Sequence, residues 1–329
     1  MKLFSFRRGV AALCLPLFLF SSQLSATAAT TPALADYSAL PLVRGKENQL
    51  MLRLPVGNQS AWVVLDTGSP VTCVDEEKSK LFQLIPSSEQ NAAPVSVIVN
   101  GVRHRIAIAP SLKFGPDVEV QNLPVVMVDL SALNQMLRSR HDRPNDAILG
   151  LDTLHALNAV IDCGNGRLLL RNNPNAAARL AAHLKRDGWI EVPMQISGSH
   201  LIVRGVVDRA PLDFIVDTGS PVSVLDQAFA RARRIELTEQ TFSMRAIHFE
   251  TGGAKVGRVG NLRFGRLDLG RSLVAVFDIG GLLHNQAGLD SGIHGLLGSR
   301  TLLRARAYID CENSRLYLKP PEATEEWGF

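Results

Sequence analysis

Six consecutive residues, Asp-Thr-Gly-Ser-Pro-Val, occur twice in this chain, at 66–71 and at 217–222. Trp62-Val63-Val64-Leu65 leads into the first copy and Phe214-Ile215-Val216 into the second. Thr72-Cys73-Val74 and Ser223-Val224-Leu225 follow. Each copy therefore places a carboxylate where a buried strand breaks into a glycine-containing turn.

The duplication extends well beyond the hexapeptide. Asp66 and Asp217 are 151 residues apart, while Ile148-Leu149-Gly150 matches Leu296-Leu297-Gly298 at an offset of 148. Thr153-Leu154 matches Thr301-Leu302, and Ile161-Asp162-Cys163 matches Ile309-Asp310-Cys311, at that same offset. A near-constant offset over separated motifs implies two homologous halves related by a pseudo-twofold axis. A chain of 329 residues has room for two such cores.

Both halves read mainly as strands. Met51–Leu54 and Ala61–Leu65 flank Gly57-Asn58, and Val95–Val99 and Arg103–Ile108 flank Asn100-Gly101, a strong hairpin signal. Leu123–Val128 is a further apolar strand, and Thr153–Leu157 reads as a short helix. Val160–Asp162 and Arg167–Leu170 form a closing hairpin. The second half repeats this plan with His200–Val207, Leu212–Val216, Leu273–Phe277, and a closing hairpin of Arg306–Asp310 and Arg315–Leu318. Between the halves, Asn175–Lys185 is rich in helix formers and stops at Gly188.

The first 28 residues read as a targeting segment. Lys2, Arg7 and Arg8 precede an apolar run, Gly9–Phe20, that is short for a membrane span, and Ala26-Thr27-Ala28 forms a small-residue cleavage site. An uncleaved anchor is the alternative. Removing this segment takes the net charge from +4 to +1. The high pI thus owes much to the leader, and no dense basic stripe marks a nucleic-acid surface. The expected organisation is a signal peptide 1–28, a first lobe 29–172, a linker helix 173–187, a second lobe 188–319 and a tail 320–329. After cleavage no stable membrane span is expected, and the location is periplasmic or extracellular. Cys73, Cys163 and Cys311 then remain, an odd number, and the repeat raises a Cys163–Cys311 bridge as a hypothesis. No metal-binding spacing is present, and neither a metal nor a cofactor is expected.

Two buried carboxylates meeting face to face cannot both ionise easily, so one apparent pKa rises and the other falls. The protonated one can donate to a carbonyl oxygen while the ionised one takes a proton from an attacking water. Asp66 and Asp217 are the candidate pair. Gly68 and Gly219 permit unusual backbone dihedrals and expose N–H groups. The Ser69 and Ser220 hydroxyls can donate to the carboxylates, and Thr67 and Thr218 can brace one turn against the other.

This pattern resembles the pepsin/retropepsin clan of aspartic proteases across nearly the whole mature chain. It is carried by hydrophobic-hydrophobic-Asp-Thr-Gly-Ser at 64–69 and 215–220 and by the two later Leu-Gly turns. The closing Ile-Asp-Cys hairpins look like bacterial members with retroviral-type lobes. The resemblance implies an all-β fold of two retropepsin-like β-barrel lobes within a monomer. It also implies ψ-shaped loops containing Gly150 and Gly298, and endopeptidase action on a protein or peptide substrate. Pepsin-type enzymes carry a flap tyrosine, but Tyr37, Tyr308 and Tyr317 all fall elsewhere. Candidate flaps are the Asn100-Gly101 hairpin and Glu250-Thr251-Gly252-Gly253-Ala254, the latter more flap-like because its glycines allow hinge motion. Asp152, whose repeat partner is Arg300, reads as a surface or packing residue, and the matched Asp162 and Asp310 read as turn or lobe-interface residues. A binding or scaffold protein that has kept the fold and lost activity is the competing reading.

Overall fold

The computed structural model describes residues 34–56, 58–87, 96–99, 101–246, 249–280 and 292–320, with the side chains of 239–252 left out. The targeting segment, Asn100 and nearly all of the tail lie outside the described residues.

The chain is all-β, with short helices at its turns. Its strands show the period-two burial that a half-buried sheet demands. In Leu50–Val56, for example, Leu52, Leu54 and Val56 are buried and Arg53 and Pro55 exposed, the alternation being broken at the start, where Leu50 and Met51 are both buried. One nine-stranded sheet belongs to the first half. A second, fifteen-stranded sheet starts with three strands of the first half, Tyr37–Pro41, Arg167–Arg171 and Ala159–Asp162, and continues through the second half. Their shared interior is filled by Phe82 and Phe114 on one side and by Phe214 and Phe264 on the other. The last two pack edge to face at 5.3 Å.

The centre of the molecule is where the two closing hairpins meet. Ala159–Asp162 pairs antiparallel with Tyr308–Asp310, and Ile161 stands opposite its own repeat partner Ile309. The pseudo-twofold passes through that pair. Outward from it, Arg167–Arg171 and Arg315–Leu318 complete the hairpins. Tyr37–Pro41 and Ile190–Ser197 then form matching outer strands. The pairing of Tyr37–Pro41 with Arg167–Arg171 was not apparent from the sequence. Helix Ala176–Arg186 does more than link the halves. Its Ala176, Leu180 and Leu184 cover one face of this sheet, packing with Leu34, Val160, Leu169 and Trp189. All three tyrosines are buried in that same cluster.

This register overturns the proposed Cys163–Cys311 bridge. All three described cysteines are free and buried. Cys163 N–H donates to Ala307 and Cys311 N–H to Ala159, so the thiols lie four ladder positions apart. That is about 13 Å along the strands, against at most about 7 Å between the Cα atoms of a disulfide. Free-thiol titration without reductant should find no reactive thiol in folded protein 29–329 and all three after denaturation.

Asp162 and Asp310 cap their hairpin turns, as the sequence suggested. Each carboxylate accepts from the backbone and side-chain amides of the Asn three residues on, Asn165 and Asn313. Among the described residues a cation contacts Asp162, Arg167 at 2.6 Å, and none contacts Asp310. The equivalent Arg315 pairs with Glu191 instead. Burial accordingly raises the Asp310 carboxyl above its ordinary value. A raised carboxyl favours the folded state at acid pH, and that contribution is lost as pH rises from the unfolded to the folded value. Asp310→Asn should therefore raise the urea midpoint at pH 7 relative to wild type and leave it nearly unchanged at pH 4.

Candidate active site

The two hexapeptides lie against each other, each at the end of a central strand. Gln59–Leu65 delivers Asp66, whose N–H donates to Leu149 O at 3.0 Å. Ala210–Asp217 delivers Asp217 and pairs in parallel with Ile293–Gly298. The threonines lock the loops together across the twofold. Thr67 Oγ1 donates to Val216 O at 2.6 Å, and Thr218 Oγ1 donates to Leu65 O at 2.7 Å. Each threonine N–H donates to the hydroxyl of the other, at 3.0 and 3.1 Å. Both side chains are fully buried. Thr218→Ala removes a donor and an acceptor at once and strands the Leu65 carbonyl. It should cost about 3 kcal/mol by denaturant unfolding.

The glycines are required by close approach. A Cβ on Gly68 would sit 2.4 Å from the Asp217 carboxyl carbon, and one on Gly219 would sit 2.3 Å from that of Asp66. Neither glycine has a positive φ, so the expected need for unusual dihedrals gives way to a need for space. Each loop's glycine is thus the floor under the other loop's carboxyl.

Each carboxylate is held from below by main-chain donors. Asp66 Oδ1 accepts from Gly68 N at 2.9 Å and Ser69 N at 3.1 Å. Asp217 Oδ1 accepts from Gly219 N and Ser220 N, both at 2.9 Å. The serine hydroxyls do not point to the carboxylates as expected. Ser69 Oγ donates to Val71 O and Ser220 Oγ to Val222 O, closing the turns. The geometric reason is that the backbone N–H of the same residue already occupies the near carboxylate oxygen.

The two carboxyl groups interact directly. Burial raises Asp66, opposed by the N–H groups of Gly68 and Ser69. Burial raises Asp217 further, because the Asp66 charge adds to it. Both groups nevertheless keep partial solvent exposure, so water reaches them. Both carboxyls are thus raised, and the expected fall of one of them is not found, because burial outweighs the N–H donors that oppose it on Asp66. Behind Asp66, burial pushes the Cys73 thiol up to about 12, with the charges of Asp66 and Asp152 adding to it.

The two Leu-Gly elements cross directly behind the loops. A Cβ on Gly150 would meet Val71 O at 2.4 Å, and one on Gly298 would meet Val222 O at 2.2 Å. Hydroxyls unnoticed in the sequence fasten each crossing. Gly150 N donates to Thr72 Oγ1, which contacts Thr153 Oγ1 at 2.6 Å. Gly298 N donates to Ser223 Oγ, which contacts Thr301 Oγ1 at 2.8 Å. A hydroxyl at the same place in both hexapeptide flanks was the available signal. Asp152 accepts from Thr72 and so ties the first loop.

The flap candidates divide. Gly101, with φ 80°, follows the described strand Ser96–Val99 and precedes Val102–Phe114. Ile98 and Val102 are exposed beside it. Gly252 and Gly253 are not at a hairpin tip. They lie inside strand Phe249–Val259, at a register shift against Glu236–Ala246, with Gly253 at φ 89°. The glycines expected to act as hinges therefore sit within a paired strand, short of the hairpin's end. Among the described residues no group of three or more His, Cys, Asp or Glu side chains is arranged to hold a metal ion.

A profile of the aspartyl protease family matches residues 192–301. The match includes Asp217 and Gly298 but not the first hexapeptide. No curated protein matches the chain. Among solved structures, the aspartic proteinase from Irpex lacteus is similar at a TM-score of 0.53 and 14% identity, covering 88% of this chain and 98% of its own. Basic 7S globulin from soybean aligns at a TM-score of 0.46 and 12% identity, over 86% of this chain and 95% of its own. At such identities the proteinase is a likeness of fold, and it supports the all-β, pepsin-like architecture.

Proposed function

We propose that the chain is an exported aspartic endopeptidase that acts as a monomer, with Asp66 and Asp217 as its catalytic pair. The observation that carries this reading is the mutual embrace of the loops, in which each carboxyl rests on the other loop's glycine. The ionised member takes a proton from a water held between the two oxygens that face each other. That water attacks the peptide carbonyl, while the protonated member donates to the carbonyl oxygen. No covalent intermediate forms, and the leaving amine receives its proton from the same pair.

Thr67 and Thr218 hold the spacing, and the N–H groups of Gly68, Ser69, Gly219 and Ser220 hold the orientation. An extended peptide crosses the pair as an added strand, covered by the hairpin around Gly101 and by its second-half counterpart. The leader 1–28 directs export, and no partner beyond the peptide substrate is needed, since one chain supplies both carboxyls.

The test is digestion of a peptide library by protein 29–329, and by a form trimmed within Ala29–Glu47, at about pH 3 to 8. Pepstatin-sensitive cleavage with a rate linear in protein concentration supports the reading. Peptide binding without product at every pH identifies a binding protein on this fold instead.

A further inference from the structure

The duplicated loops differ in the two residues that follow their rear glycines. Gly150 precedes Leu151-Asp152, and Gly298 precedes Ser299-Arg300. The main chains match: Leu151 N donates to Ser69 O and Ser299 N to Ser220 O, both at 2.8 Å. The side chains do not. Ser299 is almost fully buried, and its Oγ donates to the carbonyl of Thr218 at 2.6 Å. Leucine at position 151 offers the first loop no such donor.

The Thr218 carbonyl and the Gly219 N–H belong to one peptide group. That N–H donates to Asp217 Oδ1 at 2.9 Å. A hydrogen bond to an amide oxygen polarises the amide and strengthens its N–H as a donor. Hydroxyl, peptide and carboxylate thus form one chain that ends on Asp217. The first half's polar tie is Asp152, and it acts at the far end of the loop on Thr72.

We propose that Ser299 is a positioning residue for Asp217, acting through the Thr218–Gly219 peptide, and that it makes the two carboxyls unequal within otherwise duplicated loops. Its catalytic consequence rests on the reading of Asp66 and Asp217 as a working pair. Asp66 faces Asp217 directly. The Cys73 thiol and Asp152 stand by the loop of Asp66, and Arg300 stands on the helix behind that of Asp217. Asp217 is the carboxyl raised further, with the Asp66 charge adding to its burial. Without Ser299 its ionised form loses part of a donor, so the second ionisation of the pair moves to higher pH.

Ser299→Ala and the nearly isosteric Ser299→Cys should shift the alkaline limb of the kcat/KM profile upward by about half a unit. They should lower kcat about fivefold and leave KM within about twofold, and Ser299→Thr should restore the limb. In labelled protein the Gly219 amide proton should move upfield while that of Gly68 stays, with Arg300→Ala moving neither. An unshifted alkaline limb together with an unshifted Gly219 resonance overturns the proposal. If wild-type protein cleaves nothing, the catalytic reading fails, and the Gly219 and Gly68 resonances still decide the role of Ser299.

Discussion

Asp66→Asn and Asp217→Asn, made separately, should each lower kcat by at least about a thousandfold, with KM little changed. Either substitution leaves one carboxyl that must be both acid and base for the same water, a task requiring two protonation states at once. Asn keeps the shape of the side chain and can still accept from Gly68 and Ser69, or from Gly219 and Ser220, on one oxygen. The loops should therefore persist, and circular dichroism should be unchanged. The sign of the stability effect is also fixed. Both carboxyls are raised by burial, so ionising the pair above its folded values disfavours the native state. At pH 7 each variant should be at least as resistant to urea as wild type. Loss of activity with loss of stability would instead mean that the aspartates serve mainly to cap their turns.

Gly298→Ala should be the most damaging single methyl group that can be added near the site. Its Cβ would lie 2.2 Å from Val222 O, 2.3 Å from Val222 C and 2.8 Å from Ser223 N. All three are main-chain atoms of the loop that carries Asp217, so no side chain can swing aside. Overpacking of this kind costs about 3 kcal/mol or more, roughly 10 °C in Tm. Gly150→Ala, facing Val71 and Thr72, should behave alike in the first half. Gly253→Ala meets nothing within 4 Å, and its cost should be limited to the positive φ. Calorimetry on the three variants checks the order.

The features legible in the sequence were those that recur. The hexapeptides, the Leu-Gly turns and the closing hairpins appear twice, and repetition marks a position as structural before any geometry is known. The Thr67–Thr218 brace followed from the same symmetry. What escaped notice was set by tertiary contact. Nothing local in Tyr37–Pro41 predicts that it pairs with Arg167–Arg171, because that pairing spans the whole first half. The need for Gly68 and Gly219 arises from the opposite carboxyl, and turn chemistry alone suggested a dihedral reason. The serines looked like carboxylate donors because hydroxyls near Asp commonly are. Here the backbone N–H reaches the oxygen first, and the hydroxyl closes the turn. Gly252 and Gly253 suggested the hinges of a flap by composition, although eleven-residue strands extend the hairpin past them. The difference between Leu151 and Ser299 was hidden because alignment of the halves rewards identity, while here the mismatch carries the chemistry.

The most direct measurement is a pH titration of the Asp66 and Asp217 carboxyl carbons by NMR in protein labelled at aspartate. Two linked, well-separated steps are predicted, both above the ordinary carboxylate value of about 3.9, collapsing to a single step in Asp66→Asn. Two independent titrations near 3.9, unchanged when the other aspartate is replaced, would contradict a shared proton.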